Sequence, residues 1–347
     1  MKCLLSFSLV GLFFLVFSHR AFAQTQQNQI SQPSFLPADE KVLKIINDNI
    51  YYVGKKDFQH TVSINGKPYT TRDTNGTQKI YFTDRQGKIL NTFNIFPSTT
   101  ILSAFDVIRY SKKFITIKRS YQDKGKLVMD GFLLDSAGKI LWHIPKKVLE
   151  SYMFPCDKND SVMMIDAWKG FLKIYSVNGV EKTERYFTDQ SDKKYKDLAA
   201  EDLEDVSFDG DCEASDNGDY IAVGRNSVDF PDFQSELTLL DSSGNIIFQN
   251  KEPQSKAGEP LKISADLKII VVDGAIRTQL ANHHYLTQEI YYGIDFTGKK
   301  LWELDSYSSG IYPGELKNGL LKDDELIVKR HLTSDPLNLN LNTGEIK

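Results

Sequence analysis

Six times along this chain an apolar, β-prone run meets a polar turn closed by glycine, and a second apolar run leaves it. The stretches are KIYFTDRQGKILNTF at 79–93, GFLLDSAGKILWHI at 131–144 and LKIYSVNGVEKTERYF at 172–187. They continue as LTLLDSSGNIIFQN at 237–250, YYGIDFTGKKLWEL at 291–304 and NLNLNTGEIK at 338–347. A second pattern precedes each hairpin: a polar turn feeds a continuous apolar run, as in NDNIYYVGKK, SKKFITIKR, KNDSVMMIDAW, DNGDYIAVGR, ADLKIIVVDG and KDDELIVKR. Such runs fit strands buried on both faces. With a shorter strand ahead of it, each unit has four strands, A to D. Self-similarity on this scale means stacked β modules. The expected fold is all-β, a six-bladed β-propeller of four-stranded antiparallel blades, with strand D starting just after Gly87, Gly138, Gly179, Gly244, Gly298 and Gly344.

These glycines are separated by 51, 41, 65, 54 and 46 residues. A four-stranded blade takes about 40–45 residues, so the longer intervals carry loop insertions. SADLKIIVV and SDNGDYIAVG resemble the strand entry of WD40-like and TolB-like propellers. DFTGKKLW and DSAGKILW resemble the D-x-x-G-K-x-L-W element of quinoprotein-like repeats. The resemblance covers the whole mature chain and is generic. Trp142 and Trp302 hold the docking position in two repeats, whereas Asn91, Thr183 and Phe248 replace it elsewhere. It implies a fold and no quinone cofactor. After Gly344 only three residues remain, too few for a full outer strand. A propeller with open edges is exposed to mispairing, so a strand from 34–36 or 42–46 is expected to complete the last blade.

Residues 1–23 read as a signal peptide: Lys2, an apolar stretch over 4–17, and Ala21-Phe22-Ala23 as cleavage signal. The apolar stretch is too short to span a bilayer comfortably. Residues 24–38 form a polar lead expected to be flexible, and 39–347 the propeller domain. The expected location is periplasmic or secreted, with no membrane span. Without Lys2 and Arg20 the basic count falls from 42 to 40 against 46 acids, a net charge of −6. That balance argues against nucleic acid as a partner. The mature chain keeps Cys156 and Cys212, each ahead of strand B in neighbouring repeats. In an oxidising compartment they are expected to pair as a disulfide.

Familiar catalytic signatures are absent: no G-x-S-x-G, HExxH, C-x-x-C, G-x-G-x-x-G or Walker loop. Residues 197–224 hold ten acids and no Lys or Arg. Asp209-x-Asp211-x-Glu213 has a spacing used by Ca²⁺ ligands, but Ala214 stands where an EF-hand needs glycine. The stretch reads as a solvated acidic insertion. His283-His284 point to opposite faces if they lie on a strand. No metal and no cofactor is expected.

Strand B ends in a cation in several repeats: Lys55, Arg119, Arg225 and Arg330, with Trp168-Lys169 and Arg277 near the matching places. Matched positions on repeated blades form a ring, and the B–C loops open on one rim. The longest of these loops carry Phe230, Phe233 and Tyr285. Cations interleaved with aromatics suit an interface. The resulting functional expectation is an exported, monomeric binding or scaffold protein that engages a protein or a small anionic ligand on the B–C rim through Lys55, Arg119, Trp168, Arg225, Phe230, Phe233, Arg277, Tyr285 and Arg330. The alternative is a lyase or hydrolase working at the central funnel, with or without Ca²⁺ assistance, for which Asp106 and Glu315 are the clearest inner-strand carboxylates. Three carboxylates converging on the axis would favour the enzyme, and bare apolar walls the binder.

Overall fold

The computed structural model describes residues 33–347 except 48, 56–57, 65–66, 74–78, 95–107, 124–125, 145–151, 168, 189–207, 228–233, 254, 257–258, 280–284 and 331–334. Residues 1–23, read above as a signal peptide, residues 24–32 of the expected lead, Trp168, Phe230, Phe233 and Asp106 therefore lie outside the described residues. The strands fall into seven antiparallel sheets, six of them blades in chain order and the seventh a two-stranded hairpin. Blade 1 contains β1 (Glu40–Asn47), β2 (Ile50–Lys55), β5 (Lys79–Thr83) and β6 (Ile89–Asn94), with the hairpin β3 (Phe58–Ile64) and β4 (Lys67–Asp73) inserted between β2 and β5. Blade 2 contains β7 (Ile108–Tyr110), β8 (Phe114–Asp123), β9 (Lys126–Asp135) and β10 (Ile140–Ile144). Blade 3 contains β11 (Tyr152–Cys156), β12 (Ser161–Asp166), β13 (Phe171–Ser176) and β14 (Glu181–Tyr186). Blade 4 contains β15 (Phe208–Ala214), β16 (Tyr220–Ser227), β17 (Gln234–Asp241) and β18 (Ile246–Pro253).

In blade 5 the first strand is broken in two. Both β19 (Ser255–Lys256) and β20 (Pro260–Ser264) pair with β21 (Ile269–Gln279), which is followed by β22 (Tyr285–Asp295) and β23 (Lys300–Asp305). Two short helices, α1 (Ser306–Ser309) and α2 (Pro313–Lys317), lead into blade 6: β24 (Leu320–Lys322), β25 (Glu325–Lys329) and β26 (Pro336–Asn340). The chain is a six-bladed propeller of four-stranded antiparallel blades, the last blade having only a rudimentary fourth strand.

The glycine turns explain themselves physically. Asp84, Asp135, Asp241 and Asp295 each accept, through Oδ1, the backbone N–H groups two and four residues on. The glycine three residues after each aspartate has φ between 76° and 87°, where a side chain would be strained. A register shift follows between the third and fourth strands of blades 1 to 5, which makes this a glycine bulge. The local sequence thus dictates the hairpin before any packing occurs.

Packing then joins blade to blade. Five apolar clusters each span two consecutive blades; that between blades 1 and 2, for example, holds Ile80, Phe82, Ile115, Ile117 and Leu134. Each outer strand also reaches the glycine turn of the next blade. Asn91 Nδ2 donates to the Gly138 carbonyl, Trp142 packs on Gly179, Arg185 donates to the Ser243 carbonyl, Asn250 donates to the Gly298 carbonyl, and Trp302 packs on Gly344. The docking position itself, four residues after the glycine, makes this contact in blades 1, 2 and 5 through Asn91, Trp142 and Trp302, whereas in blades 3 and 4 the residue two further on, Arg185 or Asn250, makes it in place of Thr183 and Phe248.

Closure differs from the expectation. Residues 42–46 belong to β1, the first strand of blade 1, and pair with β2. Residues 34–36 form no strand. Blade 6 completes itself: Ile346 bridges Leu339, and Lys347 exchanges backbone hydrogen bonds with Asn338. Three residues suffice because the turn returns the chain directly alongside β26. At blade 1, Phe35 takes the place that a preceding outer-strand residue takes elsewhere. It lies over Gly87 and packs edge-on against Tyr51 and Tyr81, while Leu36 is buried beside Val42 and Val53.

Candidate functional site

The first strands of the blades bring charge together in the middle of the molecule. Heights along them can be counted from the pair that closes each first hairpin. Those pairs are Ser111 with Phe114, Ser215 with Tyr220, Ser264 with Ile269 and Cys156 with Ser161. Two steps from these closures lie Arg109 opposite Thr116, Glu213 opposite Ala222, and Lys262 opposite Val271. Four steps away lie Asp211 opposite Gly224 and Tyr152 opposite Ile165. Blades 2, 4 and 5 thus supply one tier of charges, and blades 3 and 4 a second. Lys317, at the end of α2, joins from the connection between blades 5 and 6.

Arg109 Nη1 lies 3.7 Å from Glu213 Oε2. This ion pair links blade 2 to blade 4 across blade 3, which places both strands at the propeller axis. Lys317 Nζ donates to Asp211 Oδ2 at 2.9 Å, and the Cys212 N–H donates to Asp211 Oδ1. The Arg109 guanidinium lies over the rings of Phe154 and Tyr152, at 5.2 and 5.9 Å. The Tyr152 hydroxyl donates to the Gly210 carbonyl. The four charged side chains keep some solvent contact: 19% for Arg109, 15% for Glu213, 26% for Lys317 and 14% for Asp211. Tyr110, beside them on β7, is exposed.

The two carboxylates differ electrostatically. Burial alone would raise Asp211, but the charge and hydrogen bond of Lys317, with the Cys212 N–H and Arg109, hold it below its ordinary value. Burial raises Glu213 above its ordinary value against the pull of Arg109, Lys317 and Lys262. Glu213 Oε2 is buried and accepts no hydrogen bond among the described residues. Burial would lower Lys317, and Asp211 with Glu213 reverse that to a net rise. Burial raises Tyr110, aided by Asp216 and Glu213, and burial with Asp211 raises Tyr152.

The acidic stretch is therefore no solvated insertion where β15 runs. Phe208, Gly210, Cys212 and Ala214 alternate with Asp209, Asp211 and Glu213, and the period of two is the strand signal that identifies a two-faced segment. Cys212 goes into the apolar cluster between blades 3 and 4 while Asp211 and Glu213 face cations. Neither alternative for the funnel wall is met in its simple form, since the wall is neither bare nor lined by three converging carboxylates. Glu315 is occupied elsewhere, accepting the Tyr312 N–H at the start of α2.

The rim residues are more scattered in character. Lys55, Arg119, Arg225 and Arg277 lie on the second strands of their blades, Arg330 directly follows one, and Tyr285 opens β22. Arg225 is only 12% exposed and lies 3.8 Å from Glu236, which also accepts from Gln249. Of the other rim residues, the side chains of Lys55, Arg119, Arg277 and Tyr285 are outside the described ones.

Cys156 and Cys212 are unpaired buried thiols, which corrects the expected disulfide. They share one apolar cluster but not one height: Cys156 is at the closing pair of its hairpin and Cys212 three steps from its own. Three strand steps are about 10 Å, beyond the Cα separation of about 7 Å that a disulfide allows. Burial pushes the Cys156 thiol up to about 12 and Cys212 well above its ordinary value. The mature chain should show no reactive thiol when native and two after unfolding without reductant. Fewer than two would mean the bond exists.

No family model and no curated protein sequence matches the chain. Among solved structures, it is similar to a 6-phosphogluconolactonase-like protein from Bacteroides uniformis: 11% identity over 86% of this chain and 80% of that one, TM-score 0.42. A protein of unknown function from Bacteroides caccae is 10% identical over 74% of this chain and 90% of its own, TM-score 0.32. The α-L-arabinofuranosidase PaAbf62A from Podospora anserina is 8% identical over 55% and 63%, TM-score 0.24. The blade count rests on the hydrogen-bonded sheets described above.

Proposed function

We propose that this protein is an exported propeller that binds a small anionic ligand at its axis, beside Arg109, Lys262 and Lys317. One observation carries the reading. Three cations from three separate elements meet two carboxylates, and Lys262 alone of the three has no ion-pair partner among the described residues. An excess positive charge with restricted solvent access attracts an oxyanion, and the Arg109 fork suits a carboxylate, phosphate or sulfate group. Export rests on the leader-like residues 1–23. The axis carries this better than the rim, where Arg225 already has Glu236 beside it. It also carries binding better than acid–base chemistry, because Asp211 and Glu213 each face a cation of the protein itself.

Sulfate is a suitable probe, since it keeps its charge across the working pH range. Titration calorimetry at constant ionic strength should show saturable sulfate binding. Lys262→Ala should weaken it at least tenfold and leave the melting temperature nearly unchanged. Equal binding by wild type and Lys262→Ala would remove the axis as the site.

A further inference from the structure

Given the axial binding reading, we propose that anion binding there is coupled to a proton: Glu213 takes up H⁺ as the ligand enters, and its carboxyl O–H donates to the ligand. The geometry of the two carboxylates carries this. Asp211 is locked as an anion by a 2.9 Å contact with Lys317 and by the Cys212 N–H. Glu213 has only the looser 3.7 Å approach of Arg109, longer than the 2.7–2.9 Å of a charge-assisted hydrogen bond. Its Oε2 is buried with no hydrogen-bond donor among the described residues. A carboxylate oxygen in that situation has lost water without replacement, which disfavours the charged form.

An incoming oxyanion makes this worse. Glu213 stands at the same height as Arg109 and Lys262, so the ligand competes with it for the same cations. Two anions sharing one cationic site repel, and one relieves the strain by taking a proton. The balance is simple: one H⁺ from solvent adds to the Glu213 carboxylate, and no other bond changes. A protonated carboxyl group then offers one O–H donor and a neutral neighbour. The site's formal charge rises from +1, with Arg109, Lys262 and Lys317 against Asp211 and Glu213, to +2. The fitting ligand is a compact carboxylate or oxyanion with an oxygen free to accept that O–H.

The other groups around Glu213 do not compete for this role. They are Arg109 and Tyr110 on β7, Asp211 and Cys212 on β15, Lys262 on β20 and Lys317 on α2; Asp216, in the turn after β15, acts on Tyr110, and Tyr152 on β11 faces Asp211. Tyr110, Tyr152, Cys212 and Lys317 are pushed upward, away from the neutral range, and Asp211 downward. Glu213 alone is moved up toward neutrality from the carboxylate side. Its protonated form binds the anion, so affinity rises as pH falls through the range above its ordinary value of 4.5.

The test uses the full mature chain, with sulfate titrated at fixed ionic strength in two buffers of different ionisation enthalpy. Wild type should take up close to one proton per sulfate at neutral pH. Affinity should climb toward tenfold per pH unit on acidification. Glu213→Gln keeps the volume and a donor but cannot titrate. It should bind sulfate at neutral pH at least as tightly as wild type, with no proton uptake and a flat pH profile. Glu213→Asp should restore uptake. Sulfate binding that depends on Lys262 but takes up no proton overturns the coupling and leaves the axial site standing. So does a folded Glu213→Gln variant that binds weakly with an unchanged pH profile. Absence of sulfate binding overturns both.

Discussion

Trp302→Ala should cost about 3–5 kcal/mol, the usual range for emptying a large buried aromatic site. Trp302 is the joint between blades 5 and 6. Its indole packs on Gly344 of the last turn and across the sheet on Gly293, and its N–H donates to the Leu341 carbonyl. Around it lie Leu261, Val271, Tyr291, Leu326, Val328 and Leu339, all buried. Alanine leaves a cavity there and an unmet carbonyl. Blade 6 has only a rudimentary fourth strand, so it depends on this joint more than other blades depend on theirs. The melting midpoint should fall by about 5–10 °C. Hydrogen exchange should show β26 opening before β12. Trp302→Phe should recover most of the packing but not the hydrogen bond, leaving a loss of about 1–2 kcal/mol. An alanine variant that melts within a degree of wild type would mean that blade 6 is held by something else.

Lys317→Met should cost about 2–3 kcal/mol at neutral pH, because it leaves Asp211 largely buried and without its cation. Stability against pH supplies the more specific readout. In the wild type Asp211 is held below its ordinary value, so its contribution is present above the unfolded carboxylate range and is lost as pH falls through the lowered folded value. Without Lys317, burial dominates and the folded value moves above the unfolded one. The penalty then belongs to the ionised form, and acidification relieves it. The gap between wild type and variant should therefore narrow as pH is lowered from 7 to 4. Asp211→Asn with Lys317→Met should recover part of the loss at pH 7. A gap that stays constant with pH would mean that Lys317 acts through packing of α2 alone.

Much of this architecture is written locally. In four hairpins the aspartate and the glycine three residues later, in blade 3 Ser176 and in blade 6 Asn340 before their own glycines, fold the turn between the apolar runs without help, because such hydrogen bonds and positive φ are short-range effects. That is why six turns, and the start of each outer strand after its glycine, can be read from the residues alone. The alternation of 208–214 is legible too, although ten acids without a base over 197–224 make the stretch read as a solvated insertion.

Other features depend on positions in several blades at once. Arg109, Asp211, Glu213, Lys262 and Lys317 are spread over more than 200 residues of sequence, and nothing local says that their strands meet at one axis and at two heights. The covering of Gly87 by Phe35 and the completion of blade 6 by Ile346 depend on where the stacked blades leave their first and last edges. The separation of Cys156 from Cys212 depends on counting steps from two hairpin turns, which places them three residues out of step. The repeated unit is encoded locally, since it is stabilised by contacts between near neighbours in the chain. The ring, the axial charges and the state of the thiols follow from contacts between distant segments, whose geometry is set by the accumulated twist and stacking of the blades.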